Sequence, residues 1–420
     1  MTVLAVVTSA ALLASGCGAA ARHQVRSKPV VLTVSQIGTL RQYGQGDTAF
    51  GLDLLSALCR EQPGSNIVLS PVSVATGLGM AYLGARGATA AAMARVLHLP
   101  SPASGPGLAS GLRARAALLA SLNRPGVTFT TSNRIFADTS LVTKPAFVAA
   151  LKASYQAGLR RVPLLSAPET ARGIINAAVA ADTAGHIRQL LPPGSLGGST
   201  GWVLTDALYL KARWAQSFHH SDTAPGRFAT SASGQVQVQY MNAQGFAKAS
   251  SAGWTAAALP YVGDRLSMLA LLPPTATGGG ASGARCQAPS SATVTSLATQ
   301  IAAGKTLTAV ALPKISLAGS ESLTSMLTAL GMGIAFTQQA DFSGISPNAC
   351  CIGFVQHAAT LAVGESGTVA SAATAVGVQA ATAPAPEAVL RFDRPYLLLI
   401  RDSQTGEPLM LAWVANPAGH

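Results

Sequence analysis

Charged residues are scarce in this chain, and their scarcity argues against most nucleic-acid-binding proteins. Asp, Glu, Lys and Arg make up only 10% of the 420 residues, and the net charge of +12 comes from basic residues that are mostly isolated. A surface that binds polyanions needs clustered basic residues, and the densest group here is the pair Arg160 and Arg161. We therefore expect no nucleic-acid partner and keep a heparin-like polyanion only as a lesser alternative.

Aromatic residues are also few. They make up 5% of the chain, although apolar residues reach 49%, and the difference reflects abundant alanine. We therefore expect a large core that is built from small side chains. The length would by itself suggest two or three domains, and no internal repeat is evident along the chain.

The five cysteines do not follow a metal-binding pattern. The sequence contains no Cys-x-x-Cys pair and no histidine cluster, so we expect neither a metal nor a cofactor. Four cysteines follow Cys17, namely Cys59, Cys286, Cys350 and Cys351. An exported location would permit disulfides, but spacing alone does not fix their connectivity. Because a bridge between adjacent cysteines is strained, a bond from Cys286 to one of the adjacent pair is favoured.

The first residues of the chain form an apolar run that is typical of a targeting signal. Residues 1–16 lead into the motif Leu13-Ala-Ser-Gly-Cys17. Such a run is too short to cross a membrane and fits a bacterial lipoprotein signal peptide, with Cys17 as the lipidated residue. A plain secretory signal or a buried N-terminal segment are the alternatives. On the lipoprotein interpretation, residues 17–40 form a tether and residues 41–420 form the domain. The protein is then extracellular and is anchored to the bacterial membrane by its lipid.

Apolar residues recur at helical spacing in several segments, and short apolar runs indicate buried strands. Helices are predicted over residues 50–59, 73–83, 89–97 and 145–157, and strands over residues 203–210, 266–272, 389–400 and 408–414. Ser70 or Ser73 is expected to cap the second helix. Residues 275–291 are rich in small polar residues and are predicted to form a mobile insertion.

Residues 364–384 differ from the rest of the chain, because almost every side chain after Gly367 is small or β-branched. Alternate side chains of a strand share one face. If this segment forms a strand, one of its faces carries only side chains that are small enough to enter a packed interior. These are Thr368, Ala370, Ala372, Thr374, Val376 and Val378. Charged residues and proline would block entry into a sheet, and neither type occurs between Gly367 and Pro384.

This segment resembles the hinge and reactive-centre loop of serpins, and further matching motifs follow in family order from about residue 50 to residue 417. They include Asn66-Ile-Val-Leu-Ser-Pro, Leu83-Gly-Ala-Arg-Gly, Asn133-Arg-Ile-Phe, Asp206-Ala-Leu-Tyr-Leu, Leu312-Pro-Lys, Phe392-Asp-Arg-Pro-Tyr and Asn416-Pro. The resemblance implies one α+β domain with the serpin fold. Three mixed β-sheets, surrounding helices and an exposed reactive-centre loop at about residues 365–386 are expected.

The resemblance also implies a function. Serpins are not enzymes but suicide substrates of serine proteases, and their cleaved loop inserts into the large sheet. Counting along the loop places the scissile bond between Ala381 and Thr382, within one or two residues. The hinge comprises Glu365, Gly367, Thr368, Ala370 and Ala372. We expect a monomer whose partner is a serine protease with small-residue specificity, elastase-like or subtilisin-like, with a cysteine protease as the alternative.

Two groups of residues are expected, by the same resemblance, to control the opening of the sheet. At its top, Glu365 matches the acidic partner of Lys314, beside Trp214. Lower in the sheet, the matching residues are Ser70, Ser73, Asp206 and His357. Asp206 replaces the usual Asn, so it either accepts hydrogen bonds or pairs with His357 and makes sheet opening depend on pH.

The sequence admits three other interpretations. Gly364-Glu-Ser-Gly367 resembles the nucleophile motif of trypsin-like proteases, but His357 lies at the wrong distance and in the wrong order for that family. A non-inhibitory serpin-fold surface binding protein is the main alternative. The segment from His219 to Asp222 is predicted to be an exposed turn rather than a metal site.

Overall fold

The structure is a computed structural model. It describes residues 33–155, 157–197, 200–231, 234–274, 285–304, 306–353, 355–368 and 389–419. The predicted signal peptide and Cys17 lie outside the described residues, as do Ala370, Ala372 and the predicted scissile bond between Ala381 and Thr382.

The helices cluster in the first half of the chain. The described helices are α1 Val34–Glu61, α2 Pro71–Tyr82, α3 Gly87–Val96, α4 Gly105–Ala120, α5 Pro145–Tyr155, α6 Pro168–Asp182, α7 Ser291–Ala302 and α8 Thr324–Leu327. The predicted helices all lie on observed ones. Ser70 caps α2, because its side chain accepts a hydrogen bond from the backbone N–H of Ser73.

The described strands number fifteen and form two sheets. The first seven are β1 Ile67–Leu69, β2 Val127–Asp138, β3 Leu159–Val162, β4 Trp202–Arg213, β5 Ala224–Ala229, β6 Gln235–Ser251 and β7 Trp254–Pro260. The remaining eight are β8 Leu266–Leu272, β9 Leu307–Pro313, β10 Ile315–Ser322, β11 Gln356–Gly364, β12 Gly367–Thr368, β13 Val389–Arg391, β14 Tyr396–Asp402 and β15 Pro408–Val414.

One sheet has six strands in the order β10-β11-β12-β4-β2-β3. The other has nine strands, and its main path runs β1-β15-β14-β8-β7-β6-β9-β13, with β5 paired to β6. The 17-residue strand β6 pairs with β5, β7 and β9. Hydrogen bonds along β6 therefore join the expected second and third sheets into one. The expected mixed α+β class with several sheets is confirmed.

The N-terminal boundary of the domain differs from the prediction. Helix α1 begins at Val34, and Thr33 caps it through a reciprocal pair of hydrogen bonds with Gln36. Leu40, which was assigned to the tether, is fully buried. The last part of the predicted tether is therefore helix, because its apolar residue packs into the core.

The disulfide also differs from the favoured pairing. Cys59, near the end of α1, is bonded to Cys286, which precedes α7, and their Cα atoms are 5.2 Å apart. Cys350 and Cys351 form no disulfide. The pairing follows from the tertiary fold, because α1 and α7 contact each other although they are far apart in sequence.

Three clusters of buried apolar side chains pack the helices and the two sheets against one another. The first lies among α1, α2, α3 and one face of the nine-stranded sheet. The second fills the space between the two sheets and includes Leu208, Leu210, Ala359 and Leu361. The third packs α6 against the outer face of the six-stranded sheet. Across the described ranges, none of the helices combines the length and apolar character needed to cross a bilayer.

Candidate functional site

The six-stranded sheet is split at one end by the short strand β12. Its residues Gly367 and Thr368 pair antiparallel with Gly364 and Val363 of β11, and with Arg213 and Ala212 of β4. Below this point β11 and β4 pair directly, through four residue pairs between Gln356–Ala359 and Thr205–Leu208. The hinge has therefore already started a strand in the middle of the sheet.

Gly367 is required at the point where β12 begins. Its φ of +147° is a conformation that side chains rarely allow. A Cβ atom built on Gly367 would overlap the carbonyl oxygen of Ala212. Any other residue would therefore push the hinge away from β4.

Trp214 and Phe218 hold the turn between β11 and β12. The Trp214 indole Nε1 donates to the carbonyl of Gly364 at 2.9 Å, and the Trp214 backbone N–H donates to Ser366 at 3.1 Å. The backbone N–H of Phe218 donates to the carbonyl of Glu365 at 3.0 Å. Three consecutive carbonyl groups of the hinge are thus bonded to one neighbouring segment.

Tyr261 contacts the same region through Trp214 and Thr368. Its ring stacks on Trp214 with centroids 4.5 Å apart, and its hydroxyl lies 2.5 Å from the hydroxyl of Thr368. Burial raises the pKa of Tyr261 far above its usual value, and the hydrogen bond to Thr368 only partly opposes this. Tyr261 is therefore a neutral hydrogen-bonding partner for the first side chain that enters the sheet.

Glu365 makes the ionic contact that the sequence predicted. Its Oε1 atom accepts from Lys314 Nζ at 3.0 Å, from His220 Nδ1 at 3.0 Å and from Thr223 Oγ1 at 3.1 Å. Burial alone would raise the pKa of Glu365. Its own backbone N–H, Lys314 and His220 outweigh that effect and lower the pKa to about 2. The carboxylate therefore stays charged and bonded at neutral pH.

The second predicted cluster lies beside the direct β11–β4 ladder. His357 Nε2 accepts from the backbone N–H of Ser70 at 3.0 Å. The Ser70 hydroxyl donates to the carbonyl of Leu409 at 2.7 Å and accepts from Ser73 N at 3.3 Å. His357 is thereby fastened to the start of α2 and to β15.

The state of His357 does not favour the pH-dependent alternative. His357 stands opposite Asp206 in the parallel register of β11 and β4. Burial lowers the pKa of His357 to about 4, so the imidazole is neutral between pH 5 and 8. An ion pair that switches in this range is therefore not expected, because it requires a charged imidazole.

The catalytic interpretation of the hinge also fails on geometry. His357 and Gly364 are seven residues apart on β11, which corresponds to roughly 23 Å along an extended strand. Ser366 lies in the turn beyond Gly364, bonded through its backbone to Trp214. Within the described ranges, no group of three or more His, Cys, Asp or Glu side chains is placed to hold a metal ion.

Two residues of this site were not identified from the sequence. His220 lies in the exposed turn that the sequence predicted, yet it also bonds to Glu365. Tyr261 follows β7 and forms an isolated bridge with Trp214. Neither residue lies in a recognisable sequence motif. Both contact the hinge only through the tertiary fold, so no signal in the sequence indicated them.

Comparison with known proteins extends over most of the chain. The family model described as serpin (serine protease inhibitor) matches residues 45–417. Serpin B6 of Macaca fascicularis is 32% identical over 381 residues, which cover 89% of this chain and 99% of that protein. Leukocyte elastase inhibitor of Bos taurus is 32% identical over 401 residues, which cover 90% of this chain and all of that protein. The crystal structure of uncleaved ovalbumin matches with a TM-score of 0.75 at 25% identity, covering 90% of this chain and all of that one.

Proposed function

The chain belongs to the serpin family, and we propose that it is a suicide substrate that traps serine proteases. The protease serine attacks the carbonyl carbon of Ala381 and forms an ester, as in any acyl-enzyme reaction. The peptide bond to Thr382 breaks, and the new amino group leaves with a proton. The severed loop then enters the six-stranded sheet and traps the protease as its ester.

The hinge strand is the observation that carries this proposal. Gly367 and Thr368 already have strand neighbours on both sides, and Thr368 is buried. In this antiparallel register, each step forward along the hinge moves one residue back along β11 and β4. Ala370 would therefore lie between Leu361 and Leu210 after insertion.

The small residues of the loop suit the face that they would occupy. Two residues further along, Ala372 would lie between Ala359 and Leu208. Those two residues, like the neighbours of Ala370, belong to the buried cluster between the sheets. Alanine adds little volume to such a packed region and introduces no charge.

Insertion must break the direct ladder between β11 and β4. Residues 372–375 of the loop would replace the contacts of Thr205–Leu208 with Gln356–Ala359. Thr374 would then lie between His357 and Asp206, where Ser70 and Leu409 hold the sheet to the rest of the domain. The predicted lower cluster therefore lies at the point where the sheet must part.

The residues at the cleavage site indicate the class of target. Residues 380–383 are alanine or threonine, so any bond within this error range presents a small side chain to the protease. Proteases with shallow specificity pockets accept such side chains, whereas trypsin-like enzymes require Arg or Lys. The similarity to a leukocyte elastase inhibitor supports this assignment.

A mixing experiment tests the proposal. Protein that lacks residues 1–16 is incubated with pancreatic elastase, subtilisin or trypsin and examined on denaturing gels and by intact mass. A complex that survives detergent and heat, with release of a fragment beginning near Thr382, is expected with elastase or subtilisin but not with trypsin.

The thermal stability of the cleaved form separates two kinds of failure. If a protease cuts the loop without forming a complex, a large rise in the melting temperature of the cleaved protein shows that insertion works but is too slow for that protease. Cleavage without a complex and without a rise in melting temperature would refute the inhibitory mechanism and favour the non-inhibitory surface binding protein.

We also propose that the protein is exported and anchored to the bacterial membrane through lipidated Cys17. The apolar run before Cys17 supports this, and the Cys59–Cys286 disulfide suits an oxidising exterior. Labelling of cells with radioactive palmitate should mark the wild-type protein but not Cys17→Ser. Equal labelling of both would disprove the anchor.

A further inference from the structure

Two cysteines lie side by side in the segment that leads into β11. Residues 346–353 form no helix or strand, and Cys350 and Cys351 are both half-buried there. Their sulfur atoms are 2.6 Å apart, and Cys350 Sγ also lies 3.0 Å from Gln338 Oε1. The two thiols therefore already face each other, although they form no disulfide in this structure.

The backbone around the two cysteines is held less firmly than its flanks. The N–H groups of Ala349 and Ile352 donate to backbone carbonyls at 3.2 Å and 2.9 Å. Between these two points, the described residues provide no backbone hydrogen bond to Cys350 or Cys351. The backbone of the pair can therefore adjust until the sulfur atoms bond, without the loss of a backbone hydrogen bond.

A disulfide between adjacent cysteines would be strained. Consecutive Cα atoms are about 3.8 Å apart across a trans peptide, whereas the Cα atoms of ordinary disulfides are about 4.4–6.8 Å apart. The Cα atoms of Cys59 and Cys286, at 5.2 Å, lie within that ordinary range. Strained disulfides are reduced more readily than structural ones and form the labile or regulatory class. The adjacent pair should therefore open under conditions that leave the other bond closed.

We propose that Cys350 and Cys351 are a reversible thiol–disulfide site, which low-molecular-weight disulfides oxidise and which loosens the start of β11 when its bond forms. The site lies apart from the hinge and from the predicted scissile bond. A metal site is not indicated, because no third His, Cys, Asp or Glu side chain among the described residues joins the two thiols.

The oxidation takes place in two exchange steps. The thiolate of Cys350 attacks one sulfur of the small disulfide, a mixed disulfide forms, and one small thiolate leaves. The thiolate of Cys351 then attacks the Cys350 sulfur, the bond to the small molecule breaks, and the second small thiolate leaves. Two electrons pass from the cysteines to the small disulfide, and the two thiol protons end on the released thiols.

The surroundings of Cys351 set the order of these steps. Burial, together with the hydrogen bond and the charge of Cys350, raises the pKa of Cys351 to about 11. Cys351 is therefore seldom a thiolate at neutral pH, and Cys350 attacks first. Once Cys350 is in the mixed disulfide it carries no charge, so the pKa of Cys351 falls and the second attack becomes easier.

The residue after the pair packs against the ladder between β11 and β4. Ile352 is buried, and together with Leu204 of β4 it lines a small void next to His357. A bond between Cys350 and Cys351 closes a small ring around one peptide group and changes the direction in which the chain enters Ile352. The bond should therefore displace Ile352 and weaken the pairing of β11 with β4.

The first test exposes the purified protein to buffers with graded ratios of oxidised to reduced glutathione. At each ratio the free thiols are alkylated, and peptide mapping by mass spectrometry locates the labels. We expect Cys350 and Cys351 to pass from both labelled to neither labelled as the oxidised share rises, while Cys59 and Cys286 stay unlabelled. Two free thiols at every ratio, or a lasting adduct with glutathione, would overturn the proposal.

Single substitutions provide the matched controls. Cys351→Ser should stop at the adduct of Cys350 with one glutathione, because no second thiol can displace it. Cys350→Ser should form its adduct about tenfold more slowly, because the remaining thiol is buried and seldom ionised. Equal rates in the two variants, or a faster reaction of Cys350→Ser, would contradict the assigned order of attack.

Hydrogen exchange tests the link to β11. The amide exchange of residues 356–359 is compared between the oxidised and reduced wild type, without a protease, so the result does not depend on inhibition. We expect exchange to be about threefold faster in the oxidised form, because local opening of the ladder is easier. The double variant Cys350→Ser with Cys351→Ser should exchange equally in both buffers. Equal or slower exchange in the oxidised wild type would disprove the link.

Discussion

At the scale of single residues, Glu365 combines three contacts in one carboxylate oxygen. Lys314, His220 and Thr223 all bond to its Oε1 atom, and Lys314 itself is partly exposed. We expect Glu365→Gln to lower the free energy of unfolding of the uncleaved protein by about 1–2 kcal/mol at pH 7, because charged hydrogen bonds are replaced by weaker neutral ones. Chemical denaturation measures the change.

The pH dependence of this change follows from the pKa of Glu365. It is about 2 in the folded protein against an ordinary value of 4.5, so the stabilisation is complete above pH 4.5 and is lost as the pH falls towards 2. The stability difference between wild type and Glu365→Gln should therefore shrink over that range. A constant difference would contradict the role of the charge. Glu61→Gln, at an exposed carboxylate at the end of α1, serves as the control.

These residue contacts were only partly predictable. The pairing of Glu365 with Lys314 and the arrangement of His357 with Ser70 were both implied by the family resemblance, and the structure brings those residues together. His220 and Tyr261 were not identified, since a local pattern does not report which distant loop will lie against the hinge.

At the scale of elements, the inserted strand should have one face that tolerates charge and one that does not. Ala370→Glu would bury a carboxylate between Leu210 and Leu361, which is strongly unfavourable. Val369→Glu would instead lie beside Lys211 and Ala362, which are half-buried. We expect Ala370→Glu to be cleaved by elastase without forming a stable complex, and Val369→Glu to keep most complex formation.

Gel densitometry across a series of inhibitor-to-protease ratios measures this contrast. The number of inhibitor molecules consumed per protease should rise severalfold for Ala370→Glu and little for Val369→Glu. The reverse order would show that the register of β12 does not continue along the loop.

Local sequence patterns predicted the bounds of several strands, but not the point at which the chain leaves one strand partner for another. β8 and β15 lie at their predicted bounds, because each mostly apolar run follows a charged residue and ends shortly before a proline. The single strand predicted over residues 389–400 is instead β13 and β14, which pair with different neighbours on either side of Phe392. An apolar run does not reveal such a change of partner.

At the scale of the whole molecule, the Cys59–Cys286 bond links parts of the chain that are 227 residues apart. Replacing both cysteines by serine should lower the free energy of unfolding by about 2–5 kcal/mol, because the unfolded chain gains freedom when so long a loop is opened. Guanidinium denaturation measures the loss.

A matched pair of substitutions controls this measurement. Cys350→Ser with Cys351→Ser removes two thiols that form no disulfide and should change the stability little. A reducing agent should destabilise the wild type but not the variant that lacks Cys59 and Cys286. Equal sensitivity to the reducing agent in both proteins would show that the bond contributes nothing.

The pairing of Cys59 with Cys286 and the start of the domain were not predicted, and the reason is the same for both. Both depend on how α1 packs, since this helix begins at Val34, buries Leu40 and carries Cys59 close to Cys286. Composition around residues 22–40 resembles a linker, and only contacts made across the whole fold show that its last part is helical.

On the proposed mechanism, the four residue pairs that join β11 to β4 below the hinge set a kinetic competition. After acylation, water hydrolyses the ester at one rate while the sheet opens at another, and only the faster event decides whether the protease escapes. Stronger pairing there would prolong the lifetime of the unused inhibitor but let more proteases go free. On this mechanism the lifetime of the unused inhibitor and the fraction of proteases that it traps are opposed, because both depend on the strength of the same short ladder.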